Sequence, residues 1–460
     1  MNKAKDANAV DLGSGSVGKL LFKLALPAIA AQIINVLYNM VDRMYIGHIP
    51  DVGADALTGV GVTMPFIMAI SAFAALISMG GAPRASIMMG RGEKDKAENI
   101  LGNCTAMLVL LAVVLTVVVL VFGKQILLMF GASDKTVGYA WAYMEIYAMG
   151  TIFVQLALGL NAFINAQGYA TMGMLTVLIG AVLNIILDPI FIFGLGLGVR
   201  GAAWATILSQ AVSSFWVVGF LKGRKSYLRI RVKYLRPRAK VLLPCIALGV
   251  SPFIMQFTES VLSVCFNTSL LKYGGDVAVG AMTILASVMQ FSMLPLQGLT
   301  QGAQPIISYN YGAGKIDRVS RTFRLLLVSC LTFSALIWSV SMFAPQVFVA
   351  IFTSDVALTQ YSDWAIRIYM AASLLFGAQI ACQQTFIAVG NAKASVFLAL
   401  LRKVILLIPL IFILPVFFEN KVMAVFMAEP IADTIAVTVT VTMFLVFFTK
   451  LKRRMRAEKA

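Results

Sequence analysis

Long apolar runs recur along the whole chain, and they constrain its fold more than any other feature. A helix needs about 20 mostly apolar residues to cross the hydrocarbon core of a bilayer. In this 460-residue chain only 12% of the residues are charged, against roughly 25% in an ordinary soluble domain. The sequence therefore predicts an all-α polytopic membrane protein with about 12 transmembrane helices. Their centres fall near residues 33, 69, 109, 151, 182, 210, 256, 289, 331, 374, 406 and 436.

The basic residues lie unevenly on the two sides of these spans. If the N-terminus is inside, 28 of the 37 Lys and Arg residues fall in the two tails and the inner loops. The outer loops hold only Lys124, Lys135, Arg200, Lys272 and Lys421. By the positive-inside rule, we expect both termini to face the cytoplasm. The membrane itself is expected to be the plasma (inner) membrane of a prokaryote. The net charge of +17 is thereby explained without a nucleic-acid partner.

The two halves of the chain repeat each other at an offset of 222 residues. This shift carries Gly80, Pro83, Ser86, Gly90, Gly92 and Asp95 onto Gly302, Pro305, Ser308, Gly312, Gly314 and Asp317. Six spans per repeat is an even number, so both halves have the same orientation in the membrane. We expect an N-terminal lobe over 1–221, a basic cytoplasmic linker over 222–240, and a C-terminal lobe over 241–460 ending in a basic cytoplasmic tail. Two pseudo-symmetric six-helix lobes around a central cavity are typical of transporters that work by alternating access.

Polar residues inside the predicted spans mark candidate functional sites, because burying them in lipid is costly. In the first span, polar side chains including Asn35, Tyr38 and Asp42 recur every three or four residues and form one stripe. Asn184 and Asp188 lie four residues apart in the fifth span, just before a helix-breaking proline.

Counting residues from the nearest glycine-marked turn places Asp42, Asp188 and Thr206 at a similar depth, about 8 Å below the outer boundary. The four oxygen-bearing side chains Asp42, Asn184, Asp188 and Thr206 could thus bind Na⁺. A carboxylate pair held away from water could equally hold a proton. The alternative is that Asp42 pairs with Arg43 and that Asp188 only caps a broken helix.

The second half offers other candidates. Gln256 and Glu259 in the seventh span can face the same cavity, where an acid would suit a lipophilic cation; a structural hydrogen bond is the alternative role for Glu259. Opposite charges on the last two spans favour structural ion pairs over a transport path, and they belong to Arg402, Lys403, Glu429 and Asp433. No role is predicted for Glu145 and Arg367.

Several of these segments resemble the multidrug and toxic compound extrusion (MATE) family. The run from Asn184 to Gly194, NIILDPIFIFG, looks like the signature of that family's fifth helix. The first span, with Pro27, Asp42 and the ending Tyr45-Ile46-Gly47, resembles its first helix. The sixth span opens with a similar segment, GAAWAT over 201–206, and the glycine loops at 90–92 and 312–314 fit as well.

The resemblance implies an exporter of lipophilic, often cationic, compounds in exchange for Na⁺ or H⁺. It assigns ion or proton coupling to Asp42, Asn184, Asp188 and Thr206, and it makes Pro27 the point at which the first helix bends. Glu259 corresponds to the family's acidic position in helix 7. The tenth span has no acid where the NorM-like branch would have an Asp, so the chain is more similar to the DinF/MepA-like branch.

The sequence thus predicts a secondary-active multidrug antiporter that needs no cofactor and acts as a monomer among membrane lipids. A flippase or exporter of lipid-linked or other amphipathic metabolites is the first alternative, and it would require a cationic cavity. A passive channel is the second alternative. An enzyme is not expected, because the single His and the other residues form no nucleophile–base arrangement.

Overall fold

The computed structural model describes residues 11–130, 132–352 and 356–457. Lys3, Lys5 and Lys459, which contribute to the predicted charge asymmetry, lie outside these ranges. The described part folds into helices without strands. The helices are α1 (Val17–Gly47), α2 (Gly53–Gly90), α3 (Lys94–Met129), α4 (Val137–Met149), α5 (Thr151–Ala166), α6 (Ala170–Pro189), α7 (Val199–Lys222), α8 (Ala239–Gly312), α9 (Ile316–Phe343), α10 (Gln346–Phe352), α11 (Val356–Tyr369), α12 (Phe376–Ala388), α13 (Ala392–Leu400), α14 (Ile408–Phe417) and α15 (Lys421–Ala457).

Twelve spans account for this architecture. Within the described ranges, nine helices are long and apolar enough to cross a membrane, and two bent pairs each add one more. The pairs are α4 with α5, bent by 59°, and α11 with α12, bent by 47°. The 74-residue α8 counts as two spans because its backbone is non-helical at Gly275, where φ is +66°. Only glycine adopts that conformation without strain. The prediction of about 12 helices in two lobes is confirmed.

The internal repeat is visible in individual hydrogen bonds. The Ser86 hydroxyl donates to the carbonyl of Ala166 at 2.6 Å, and the Ser308 hydroxyl donates to the carbonyl of Ala388 at 2.7 Å. Both partners of the first bond lie 222 residues before those of the second. The six spans α1–α7 therefore form one lobe, called the N-lobe below. The six spans of α8–α15 form a second lobe of the same design, the C-lobe.

The lobes meet through glycines that allow two backbones to touch. A Cβ added to Gly80 would overlap the carbonyl of Cys245, and one added to Gly249 would overlap the carbonyl of Leu76, so α2 and α8 cross in direct contact. On the symmetric side, Gly302 of α8 packs in the same way against Ala25 of α1. These crossings lie toward the end of the molecule that carries most basic residues, called the basic end below. The lobes are closed against each other there.

The segment that leads from the N-lobe into the C-lobe is bound to the N-lobe. Residues 223–238, between α7 and α8, lie on α3, where the buried Glu98 accepts from Arg231 at 2.9 Å. The side-chain oxygen Oδ1 of Asn103 accepts from the backbone N–H of Arg238 at 2.7 Å. At the exposed edge of this contact, hydrogen bonds from Tyr234 and Lys233 lower the pKa of Asp95. The segment is thus fixed to the N-lobe.

Candidate functional site

Asn184, Asp188 and Thr206 meet inside the N-lobe. Asn184 and Asp188 are one turn apart on α6 and face the same way. The Asn184 amide donates to Asp188 Oδ1 at 3.2 Å and to Thr206 Oγ1 of α7 at 3.4 Å. Pro189 ends the regular helix immediately afterwards, and a π-helical turn, Ile190–Gly194, follows. The sequence therefore builds a polar pocket where α6 loses its helical regularity.

Asp42 of α1 completes this group, called the N-lobe carboxylate site below. Its carboxyl lies beside that of Asp188, within hydrogen-bonding reach, and both residues are buried. Arg43 does not pair with Asp42; its guanidinium contacts the sulfur of Met64 at 3.3 Å. The structure therefore brings together all four predicted coupling residues, and it does not contain the predicted alternative Asp42–Arg43 ion pair.

Three buried oxygens at this site lack a hydrogen-bond partner among the described protein atoms. They are Asp42 Oδ1, Asn184 Oδ1 and Asp188 Oδ2. A buried, unpaired oxygen is costly because it has lost its bonds to water. Two carboxylates, an amide oxygen and a hydroxyl form a hard donor set that suits Na⁺, while two touching carboxyls also suit a shared proton. The chemistry of the site thus fits a small cation of either kind.

Tyrosine rings surround the carboxylates on the lobe interior. Tyr143 and Tyr147 stack with ring centroids 6.1 Å apart and are almost fully buried. Tyr143 interacts with both Asp42 and Thr206, and Tyr38 of α1 interacts with both carboxylates. These rings exclude water and strengthen the interaction of the site with any cation. Tyr38, predicted to contact substrate, thus belongs to the surroundings of the N-lobe carboxylate site.

A cavity of about 370 Å³ lies between the lobes. Asn35 and Gln256, two of the predicted substrate-binding residues, line it, whereas Tyr38 and Glu259 are not among its lining residues. The lining contains no charged side chain within the described part of the chain. It is rich in side-chain amides, namely those of Gln32, Asn35, Asn161, Asn165, Gln256, Gln297, Gln301 and Gln304.

The C-lobe holds a second group of charges, called the C-lobe charge cluster: Glu259, Arg402, Lys403, Glu429 and Asp433. Arg402 bonds Asp433 at 2.5 Å and Glu429 at 3.4 Å, as the sequence predicted for this pair of spans. Lys403 does not join them; its Nζ lies 2.9 Å from Glu259 Oε1. The residues 401–407 form a π-helical segment, which turns the two neighbouring cations into the lobe interior toward different partners.

Sequence reasoning missed the Lys403–Glu259 pair and the amides of α5 and of the second half of α8. A signal was available for the pair, since a charge within a span needs a partner and Glu259 had none assigned. Gln297, Gln301 and Gln304 also follow helical spacing. Their spacing could have revealed one polar face.

The family model described as MatE matches the chain twice, over residues 27–190 and 252–413, once in each lobe. The chain belongs to the MatE family. The resemblance inferred from the first, fifth and sixth spans is thereby confirmed, and this MatE-family protein is a membrane transporter rather than an enzyme.

Relatives of this MatE-family transporter cover nearly its full length. The protein named Multidrug export protein MepA from Staphylococcus haemolyticus is 26% identical over 410 residues, which are 89% of this chain and 90% of the relative. The MepA of Staphylococcus aureus strain NCTC 8325 is 25% identical over 415 residues, 90% of this chain and 91% of that protein. The similarity to MepA supports the predicted MepA-like branch.

Solved structures agree in fold. A MATE crystal structure in the bent conformation has a TM-score of 0.90 at 21% identity, with 96% of this chain and 98% of that chain covered. A MOP superfamily transporter from Pyrococcus furiosus has a TM-score of 0.89 at 22% identity, covering 98% of this chain and all 100% of its own.

Proposed function

We propose that this protein is a secondary-active multidrug efflux antiporter. It exports lipophilic, mainly cationic, compounds and takes up Na⁺ or H⁺ in exchange, by alternating access across a prokaryotic plasma membrane. In this proposal the basic end is cytoplasmic, a single chain is sufficient, and the chain divides into lobes at 1–221 and 241–460 joined by the linker 222–240.

One observation carries the proposal: two buried carboxyls lie side by side in the N-lobe, and one oxygen of each, together with the amide oxygen of Asn184, has no hydrogen-bond partner in the described protein. Such an arrangement is unfavourable unless a cation neutralises part of the charge. It lies apart from the central cavity, so the ion and the cargo have separate positions. An exchanger needs two sites whose occupancies oppose each other.

Helix α1 connects the two sites. Asn35 lines the cavity and Asp42 reaches the N-lobe carboxylate site about 10 Å further along the same helix. Between them, the Asn39 amide donates to the carbonyl of Asn35 at 2.6 Å. Helix α1 packs both on α6 of its own lobe and on α8 of the other. Neutralising the Asp42–Asp188 pair thus changes how α1 sits against α6, and it moves the cavity wall.

Pro27 is the position at which α1 bends most easily. It lies inside α1, where a proline removes one backbone hydrogen bond and favours bending. In the proposed cycle the outward-open protein takes Na⁺ or H⁺ at Asp42 and Asp188, and α1 shifts about Pro27. The cargo leaves, the lobes reorient, and the ion is released to the cytoplasm. Each inward charge contributes about 2.3 kcal/mol per 100 mV of membrane potential.

The central cavity suits varied cargo. Side-chain amides both donate and accept hydrogen bonds, and Met79 and Met174 add flexible, polarisable surface. Such a wall can adapt to molecules of different shape. Glu259 lies three residues, about one helical turn, from cavity-lining Gln256 and would give a cationic cargo an attractive partner. A flippase for anionic lipid-linked sugars would need cationic side chains, and the described residues of this lining include none.

The test is transport by purified protein in proteoliposomes, with sodium and pH gradients imposed separately. We expect uphill movement of ethidium, driven by one of the two gradients and abolished when that gradient is collapsed. Movement of ethidium only down its own gradient would indicate a channel. Movement of a fluorescent lipid-linked sugar in place of ethidium would indicate a flippase. Either result would contradict the antiport proposal.

A further inference from the structure

The Lys403–Glu259 ion pair differs from the other pairs of the C-lobe charge cluster in its exposure. The side chain of Glu259 is 57% exposed, whereas that of Lys403 is only 7% exposed. Arg402, Glu429 and Asp433 are all buried. Gln256, three residues before Glu259 on the same helix, lines the cavity, and Ser260, the next residue, lies 3.8 Å from the sulfur of Met68 in the N-lobe. This side of the helix therefore faces the other lobe, and we infer that the exposed surface of Glu259 borders the space between the lobes. The buried ammonium of Lys403 binds the Glu259 carboxylate from the interior of the C-lobe.

The charges of the cluster do not cancel. Three carboxylates face two cations, which leaves one negative charge if all five groups are ionised. Arg402 forms ion pairs with the two buried acids of α15, Glu429 and Asp433, and lies over the ring of Phe376 at 5.4 Å. The accessible part of the excess charge is therefore at Glu259, one of whose oxygens already accepts from Lys403.

This arrangement is not inherited from the repeat. The positions 222 residues earlier are occupied by residues without charge, namely Leu37, Gly180, Ala181, Ile207 and Ala211. The helical scaffold therefore forms without ions at these positions. A lysine in a membrane span has a desolvation cost that a purely structural position of this scaffold does not require.

We propose that Lys403 sets the charge selectivity of the cargo site at Glu259. It acts as an internal counter-ion that lets the site accept one monovalent cationic group and disfavours dications. This inference rests on the proposed export of cationic cargo and adds the residue that determines which cations are carried. A lysine suits the task because its ammonium is a compact charge on a flexible stem that can adjust when cargo arrives.

The test compares two dyes that share one aromatic core, ethidium with one positive charge and propidium with two. Purified protein in nanodiscs is titrated with each dye by fluorescence. In Lys403→Met we expect the affinity for propidium to rise about tenfold relative to ethidium, because one repelling charge near the site is gone. Lys403→Arg, which keeps the charge, should retain the wild-type ratio of affinities.

A double mutant separates this effect from a general change in charge. In a Glu259→Gln background, Lys403→Met should no longer favour propidium, because without the carboxylate the cationic groups of the dye are no longer held beside position 403. An unchanged propidium-to-ethidium ratio in Lys403→Met, or an equal change with and without Glu259, would overturn the proposal. Thermal unfolding of each variant verifies that the ratios are measured on folded protein.

A second variant keeps the idea testable if the lysine mutants fail to fold. Glu259→Gln leaves Lys403 uncompensated, so propidium binding should fall about tenfold more than ethidium binding; equal losses would contradict the assignment.

Vesicle transport distinguishes this inference from the proposed function. If wild-type vesicles move no ethidium under any ion gradient while the binding ratios shift as expected, the antiporter proposal fails and the role of Lys403 stands.

Discussion

The proposed coupling depends above all on two residues, Asp42 and Asp188. Both are buried, their carboxyls touch, and each keeps an oxygen without a hydrogen-bond partner among the described atoms. Asparagine has nearly the same shape but cannot exchange a proton or supply an anionic ligand. We therefore expect Asp42→Asn and Asp188→Asn each to reduce ion-driven ethidium efflux at least a hundredfold, measured in proteoliposomes at equal protein content.

The matched control is Asp55→Asn, which changes an exposed acid in the first turn of α2 at the same end of the bundle as Asp42. Its efflux should stay within twofold of wild type. Wild-type efflux by either buried variant would remove these carboxyls from the coupling mechanism.

Thr206 can distinguish the two candidate ions. Its hydroxyl accepts from Asn184 at 3.4 Å and is an oxygen that Na⁺ could use as a ligand, whereas a proton shared by carboxyls does not need it. If Na⁺ drives transport, Thr206→Val should raise the sodium concentration for half-maximal efflux about tenfold, and Thr206→Ser should not. If protons drive it, both variants should remain within twofold. Loss of proton-driven efflux in Thr206→Val alone would contradict this division.

At the scale of helices, the crossing of α2 and α8 requires glycine at position 249, because only a residue without a side chain lets the two backbones come into contact. A Cβ at Gly249 would overlap the carbonyl of Leu76, so Gly249→Ala must separate the two helices and open the basic end. We expect at least a tenfold loss of efflux. Gly61→Ala is the control in α2, because a Cβ there meets nothing within 4 Å. Wild-type efflux by Gly249→Ala would show that this contact is dispensable.

Helix number and repeat were predictable from the sequence because apolar length and Gly/Pro spacing are local properties. The N-lobe carboxylate site could be assembled by counting residues from turn glycines, since Asp42, Asp188 and Thr206 lie at one depth. The sequence shows that Glu259 and Lys403 each need a partner within their spans, but it does not show the direction of Lys403. Its direction is set by the π-helical segment 401–407, and a single extra residue in a helical turn leaves no clear mark in sequence periodicity.

The whole molecule combines a symmetric scaffold with asymmetric chemistry. Gly92 and Gly314 both have positive φ, and the Ser86 and Ser308 bonds are equivalent, so the repeat preserves backbone geometry. The acids of the N-lobe carboxylate site are not repeated: Asp42 and Asp188 correspond to Val264 and Leu410. In the proposed cycle, the similar scaffolds let the two lobes move against each other, and the different charges assign ion binding to the N-lobe and cargo selection to the C-lobe.

The basic end is also closed by the N-terminal strap, residues 11–16, which precedes α1 but binds the C-lobe. Arg318 of α9 donates to the carbonyls of Gly15 at 2.8 Å, Ser14 at 2.9 Å and Leu12 at 3.4 Å. Lys315 donates to the carbonyl of Gly13 at 2.8 Å. When the lobes part at this end, the strap must release Arg318 or pull α1 with the C-lobe. These bonds therefore favour the closed basic end.

Arg318→Ala should accordingly shift the whole molecule toward a conformation open at the basic end. Loss of about 1 kcal/mol corresponds to roughly a fivefold change in the ratio of the two states. Spin labels at positions 96 and 324, exposed on the N-lobe and the C-lobe, should report a larger population at long distance, measured by pulsed electron paramagnetic resonance. Arg321→Ala, an exposed arginine one turn along the same helix, should leave the distribution unchanged. Identical distributions for both variants would mean that the strap follows the lobes without holding them, because its bonds would then persist in every state of the cycle.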